Sequence, residues 1–114
     1  MLMSARPTTG DTDQSRILAR LSKDIRARLG EHLRRIILFG SRARGDAKPD
    51  SDYDLLVVVD KVDRNVKEAI DDIAGEMLYQ FGAVVSAFPT SEEVTKSRKY
   101  SPLLINVAKD GVLV

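Results

Sequence analysis

Apolar residues recur along the chain in two rhythms. After Asp13, the residues Ile17, Leu18, Leu21, Ile25 and Leu29 fall on one stripe at helical spacing, and Gly30 stands where a left-handed residue would close the helix. Two short, β-branched runs, Arg35 to Phe39 and Leu55 to Val59, read as buried strands. Between them Ser41 is placed to cap one helical turn ending at Gly45, and Lys48-Pro49-Asp50 reads as an exposed turn. Val66, Ile70, Ile73, Met77 and Phe81 then repeat at steps of three and four, which predicts a long amphipathic helix. Its other face carries Lys67, Glu68, Asp71, Asp72 and Glu76 and reads as solvated.

Gly82 closes that helix, and Ala83 to Phe88 predicts a third strand ending before Pro89. Thr90 or Ser91 caps a short helix that Glu92-Glu93 opens and Lys96, Arg98 and Lys99 close. Ser101-Pro102 starts a further helical segment, Leu103 to Lys109, and Asp110-Gly111 turns the chain into a terminal strand, Val112 to Val114. Met1 to Thr12, poor in apolar residues, reads as a flexible N-terminal arm, leaving 13–114 as a single domain. His32, the only histidine, falls in the connection before the first strand and reads as a surface residue.

Composition narrows the class. A hydrophobic fraction of 43% in 114 residues allows one ordinary core. Eighteen basic against seventeen acidic residues give +1, and aromatics are only 5%, so neither the charge nor the stacking surface of a general nucleic-acid binder is present. With no cysteine there is neither a disulfide framework nor a thiolate metal site. No run of apolar residues is long enough for a membrane span, and the expected compartment is the cytoplasm.

The chemistry concentrates between the two strands, in Gly40 to Asp60, GSRARGDAKPDSDYDLLVVVD. Asp52 and Asp54, two apart at the mouth of a strand, project to one face while Tyr53 projects to the other. Two like charges placed so repel one another and raise a carboxyl pKa unless a cation sits between them. Magnesium takes oxygen ligands and commonly bridges one or two carboxylates to substrate phosphates. Gly40 allows close approach of the backbone to a ligand, and the turn after Ser41 offers free N–H groups to a phosphate. Arg42 and Arg44 carry two readings: contacts to triphosphate oxygens, or solvated turn residues beside Asp46 and Asp50. Two other nucleotide motifs fail. Gly40-xxxx-Gly45 is followed by Asp46-Ala47 where a P-loop needs Lys-Ser/Thr, and no GxGxxG triplet occurs.

Gly40-Ser41, ten residues, then Asp52-Tyr53-Asp54 resembles the signature of the nucleotidyltransferase superfamily with the DNA polymerase beta fold. GSRARG followed by SDYDLLV is similar to its minimal nucleotidyltransferase (MNT) branch. The resemblance implies an α/β (α+β) fold, a small mixed β-sheet flanked by helices, like the polymerase beta palm. It implies Asp52 and Asp54 as catalytic metal ligands for Mg2+ (or Mn2+), and Gly40, Ser41, Arg42 and Arg44 as the nucleotide-binding set, with ATP as substrate. In bacteria and archaea the MNT family is often paired with HEPN-type proteins in toxin–antitoxin systems. A HEPN-type partner in a hetero-oligomer, or else a homo-oligomer, is therefore expected.

One departure stands out. The family's third acid lies on the strand after the long helix, and Ala83 to Phe88 holds none. Ser86 is the best positional match, with Val84 the alternative if the register is displaced by two. Two functions follow: transfer of a nucleoside monophosphate, AMP from ATP, to a hydroxyl of a partner protein, or a nucleotide-binding antitoxin that neutralises its partner by binding alone. No stretch beyond the last predicted strand is left for an acceptor domain, so acceptor specificity is expected from a partner chain.

Overall fold

Four strands form a single mixed sheet in the order β3-β2-β1-β4. They are β1 (Leu33–Phe39), β2 (Tyr53–Val59), β3 (Val85–Ser91) and β4 (Val112–Leu113). The computed structural model describes residues 9–114, with side chains from Asp13 onward. β1 runs antiparallel to both β2 and β4, whereas β2 and β3 are parallel. Parallel neighbours need a crossover. Here α3 (Arg64–Phe81) supplies it, capped by Asp63, which accepts from the Val66 N–H at 2.9 Å, and closed by Gly82 at φ +63°.

The strand β2 decides the layering. Leu55 to Val59 are at most 1% exposed, because the sheet is covered on both faces. Tyr53, Leu55, Val57 and Val59 share a core with Ile17, Leu21, Ile25 and Leu29 of α1 (Thr9–Leu29) and with Ile70, Ile73 and Met77 of α3. On the opposite face Leu56, Val58 and Phe39 meet Val107 of the last helix (Pro102–Asp110), with Leu103 and Leu104 beside it. The alternation along β2 therefore puts Asp54 on the second face, in line with Leu56 and Val58. The helical stripes and strand runs read from the sequence are thus the ones that build the core.

Several boundaries differ from expectation, strand ends by one or two residues and three others more consequentially. α1 begins at Thr9, so residues 9–12, read as arm, belong to the helix; the rest of that arm lies outside the described residues. Asp11 and Asp13 are residue types that the head of a helix favours. β3 does not stop at Phe88 but continues through Pro89 to Ser91. It is an edge strand, where a residue without an N–H is tolerated. The short helix Ser41–Arg44 is capped by Gly40 rather than by Ser41.

The remaining helices follow their caps. α4 (Glu92–Ser97) starts where Ser91 Oγ accepts from the Val94 N–H at 3.1 Å. The final helix, which we number α5, starts where Ser101 Oγ accepts from the Leu104 N–H at 3.3 Å, with Pro102 in its first turn. At the far end of β2, His32 Nδ1 lies 2.9 Å from Asp60 Oδ2, a pair with no signature in the sequence. Among the described residues no helix is long and apolar enough to cross a membrane.

Candidate active site

Gly40 ends β1 with φ +78° and ψ −158°, a conformation open to glycine and costly for any other residue. The turn that follows, α2 (Ser41–Arg44), is a single helical turn. Gly40 O accepts from the N–H groups of Ala43 and Arg44 at 3.1 and 3.0 Å, and Gly45, at φ +88°, closes it. The N–H groups at the head of such a turn have no helical acceptor of their own and face outward.

Asp54 lies against this glycine. In the antiparallel register Phe39 pairs with Asp54, and a Cβ at Gly40 would come within 2.5 Å of Asp54 Oδ2. Glycine is therefore required twice over, by backbone conformation and by the carboxylate beside it. Asp52, one residue before β2, is exposed, while Asp54 is half-buried. Burial, first, and the neighbouring charge of Asp52, second, push the Asp54 carboxyl above its usual range, and Arg44 partly offsets them. The expected repulsion between the two aspartates is present but ranks behind desolvation.

In the parallel register of β2 and β3, Asp54 pairs with Ser86. Ser86 Oγ donates to Asp52 Oδ2 at 3.5 Å. Ser86, not Val84, thus occupies the place beside the two carboxylates; Val84 precedes the strand and its carbonyl accepts from the Tyr53 N–H at 2.9 Å. Asp52, Asp54 and Ser86 form an oxygen-rich shelf beside the glycine turn.

The two arginines separate. Arg44 is exposed and ion-paired to Asp46 at 3.2 Å and to Asp110, at the end of α5, at 3.0 Å. It stays near the shelf, close enough to act on Asp54 electrostatically. Arg42 turns to the other face and is buried. Its Nε and Nη2 donate to Ser51 O at 3.1 and 2.8 Å, Nη2 also to Pro49 O at 3.1 Å, and Nη1 to Gln14 Oε1 at 3.1 Å. The guanidinium carbon stands 4.1 Å from the centroid of the Tyr53 ring. The residues on both sides of Asp52 are therefore held by one side chain, and Arg42 positions the acidic loop from behind.

Sequence reasoning had no way to find Gln14 or Asp110 as partners of these arginines, since neither stands in a motif. A cavity of about 240 Å³ lies behind the loop, lined by Arg42, Tyr53 and Phe81 among others, but neither Asp52 nor Asp54 opens into it. The shelf itself is open to solvent.

Could these residues hold a divalent cation? Two carboxylates on one face, one of them destabilised by burial and by its neighbour, make an all-oxygen donor set of the kind magnesium takes. Among the described residues no group of three or more His, Cys, Asp or Glu is gathered for a metal. The site fits a cation held by Asp52 and Asp54 and completed by oxygens from elsewhere, such as a substrate's phosphates.

Comparison with known proteins gives the family. The family model described as "Nucleotidyltransferase domain" matches residues 18–111. The "Putative protein adenylyltransferase MJ0604" of Methanocaldococcus jannaschii is 37% identical over 79 residues, 69% of this chain and 75% of that protein. Among solved structures, a chain described as "putative minimal nucleotidyltransferase" is similar with a TM-score of 0.58 at 27% identity, covering 96% of this chain and 100% of that one. The complex of a tri-AMPylated Shewanella oneidensis HEPN toxin with its MNT antitoxin shares the fold, with a TM-score of 0.52 at 20% identity over 92% of this chain and 71% of that one.

Proposed function

The chain belongs to the nucleotidyltransferase domain family, and on that premise we propose that it transfers a nucleoside monophosphate, AMP from ATP, to a hydroxyl of a partner protein. The observation that carries the reading is the apposition of Gly40 to Asp54, which sets a glycine turn beside paired carboxylates. Asp52 and Asp54 would hold Mg2+ or Mn2+, and the backbone at Gly40 and Ser41 would receive the phosphates. What the cation supplies is neutralisation of phosphate charge and orientation of the nucleotide. Arg44, exposed and paired with the exposed Asp46, would exchange that carboxylate for phosphate oxygens and steady the departing pyrophosphate. Arg42 acts indirectly, by holding Ser51 and Tyr53 around Asp52.

The biological role we propose is that of an antitoxin acting on a HEPN-type partner. The protein AMP-modified in the Shewanella complex is the HEPN toxin bound to an MNT chain, and that likeness supports the assignment. A second reading is favoured by one observation, the hydroxyl of Ser86 beside the aspartates where the family's third acid is expected. General-base assistance is worth about 10²–10⁴ in rate, so its loss favours a module that masks its partner by binding alone.

The experiment that separates these is incubation of the complex with labelled ATP and magnesium or manganese. Transfer predicts a labelled partner and no label with Asp54→Asn, with the complex intact in both. An unlabelled partner that is nonetheless held and silenced supports masking.

A further inference from the structure

We propose that Ser86 is itself a nucleotidyl acceptor, so that the site can modify and thereby close itself. The proposal rests on the transfer reading above. It starts from hydroxyls that have a hydrogen-bond partner among the described residues. Ser51 Oγ accepts from the Lys48 N–H, Ser91 and Ser101 cap helices, and Thr95 donates to Glu92 O. These hydroxyls have local structural partners. Ser86 instead donates to Asp52 Oδ2, a carboxylate of the shelf, and its backbone pairs with Asp54. The contact, 3.5 Å, is long, as hydrogen bonds of reacting groups often are before a ligand tightens the site.

A hydroxyl is the class of acceptor the transfer reaction uses. Ser86 places one beside the groups that would hold the nucleotide, half-buried but reachable. In the step, Ser86 Oγ attacks the α-phosphorus of a nucleoside triphosphate, and the Oγ–P bond forms. The bond from that phosphorus to the bridging oxygen of the β-phosphate breaks, and its electron pair leaves with pyrophosphate. The hydroxyl proton passes to Asp52 Oδ2, the carboxylate oxygen 3.5 Å away. The product is a phosphodiester on Ser86 whose negative charge lies beside Asp52 and Asp54. A second nucleotide then has no room and no welcoming charge.

The test uses the full chain without any partner, incubated with magnesium or manganese and α-labelled ATP, followed by intact-mass measurement and peptide mapping. We expect a gain of one AMP on the peptide containing Ser86, lost in Ser86→Ala and in Asp54→Asn, and retained in Ser86→Thr. A second readout is binding: the modified fraction, once separated, should show no shift in melting temperature with magnesium and ATP, whereas the unmodified chain shifts. The proposal is overturned if a folded wild-type chain gains no AMP, if the AMP maps to another residue, or if Ser86→Ala still carries it. A labelled partner beside an unmodified chain overturns this inference alone. An absence of label on both chain and partner overturns the transfer reading, and this inference with it.

Discussion

Gly40 and Asp54 lie against each other across the first two strands, so closely that a Cβ at position 40 would stand 2.5 Å from Asp54 Oδ2. The first prediction follows directly. Gly40→Ala must either distort a backbone at φ +78° or displace the carboxylate. Strain of that kind costs on the order of 1–3 kcal/mol. We expect a folded, less stable protein whose melting temperature no longer responds to magnesium with ATP. A full ligand-induced shift in Gly40→Ala would show that this contact does not organise the site.

The paired carboxylates predict opposite effects with and without ligand. The Asp54 pKa is raised by burial and by Asp52, so its ionisation opposes folding. That cost is absent below the unfolded pKa, grows as pH rises towards the folded pKa, and is fully present at neutral pH. Asp54→Asn should therefore leave the metal-free protein as stable or more stable at neutral pH. Wild type with magnesium and ATP at a hundredfold excess over Kd should gain about 2.7 kcal/mol. Thermal melts of both proteins, with and without ligand, check this, and equal ligand shifts in both would count against the metal site.

Ser86→Asp should restore a third carboxylate to the shelf. The metal-free protein should lose stability, since a third negative charge joins two. Its affinity for manganese should rise at the same time, as a direct titration would record. Lower stability without tighter metal binding would mean that position 86 is only a packing position.

Arg42→Lys keeps the charge and loses the fork that grips Ser51 O with two N–H groups. We expect a loss of roughly 1.5–3 kcal/mol in a denaturant titration. Nucleotide affinity should fall as well, although Arg42 faces away from the shelf. Unchanged affinity in the folded variant would remove the positioning role.

The His32–Asp60 pair predicts a pH dependence unrelated to the site. The hydrogen bond to Asp60 raises the His32 pKa, and the same bond lowers that of Asp60. The histidine's contribution is complete below its unfolded pKa of about 6.5 and is lost as pH rises through the folded value. The aspartate's contribution is present above about 3.9 and is lost as pH falls through its own folded value. Stability of the wild type relative to His32→Gln should therefore be greatest between those two limits and decline on either side. Melts of both proteins across that range provide the check; parallel curves would show that the pair contributes nothing.

Much of this architecture is legible in the chain because the core is built from periodic apolar runs. Leu55 to Val59 reads as a buried strand because it is one, and the stripe from Ile17 to Leu29 reads as a helix because one face is buried. The shelf was legible through Gly40, Asp52 and Asp54, whose residue types are constrained by conformation and charge. Arg42 was not. Three of its four hydrogen bonds go to backbone carbonyls of Pro49 and Ser51, and a carbonyl leaves no mark on residue type. The continuation of β3 through Pro89 was hidden for a related reason. Proline forbids a central strand, and only the sheet order reveals that this strand is an edge.

The crossover through α3 sets the order in which the shelf can be assembled. Asp52 and Asp54 sit at the start of β2 and Ser86 at the start of β3, with the whole of α3 between them in the chain. Closing so long a loop is entropically costly and is repaid only when both strands and the helix have docked. A nascent or half-unfolded chain therefore presents the two aspartates without the Ser86 hydroxyl beside them. An occupant of the shelf that touches both strands would guard the β2–α3–β3 unit against opening as a whole rather than stiffen one surface loop.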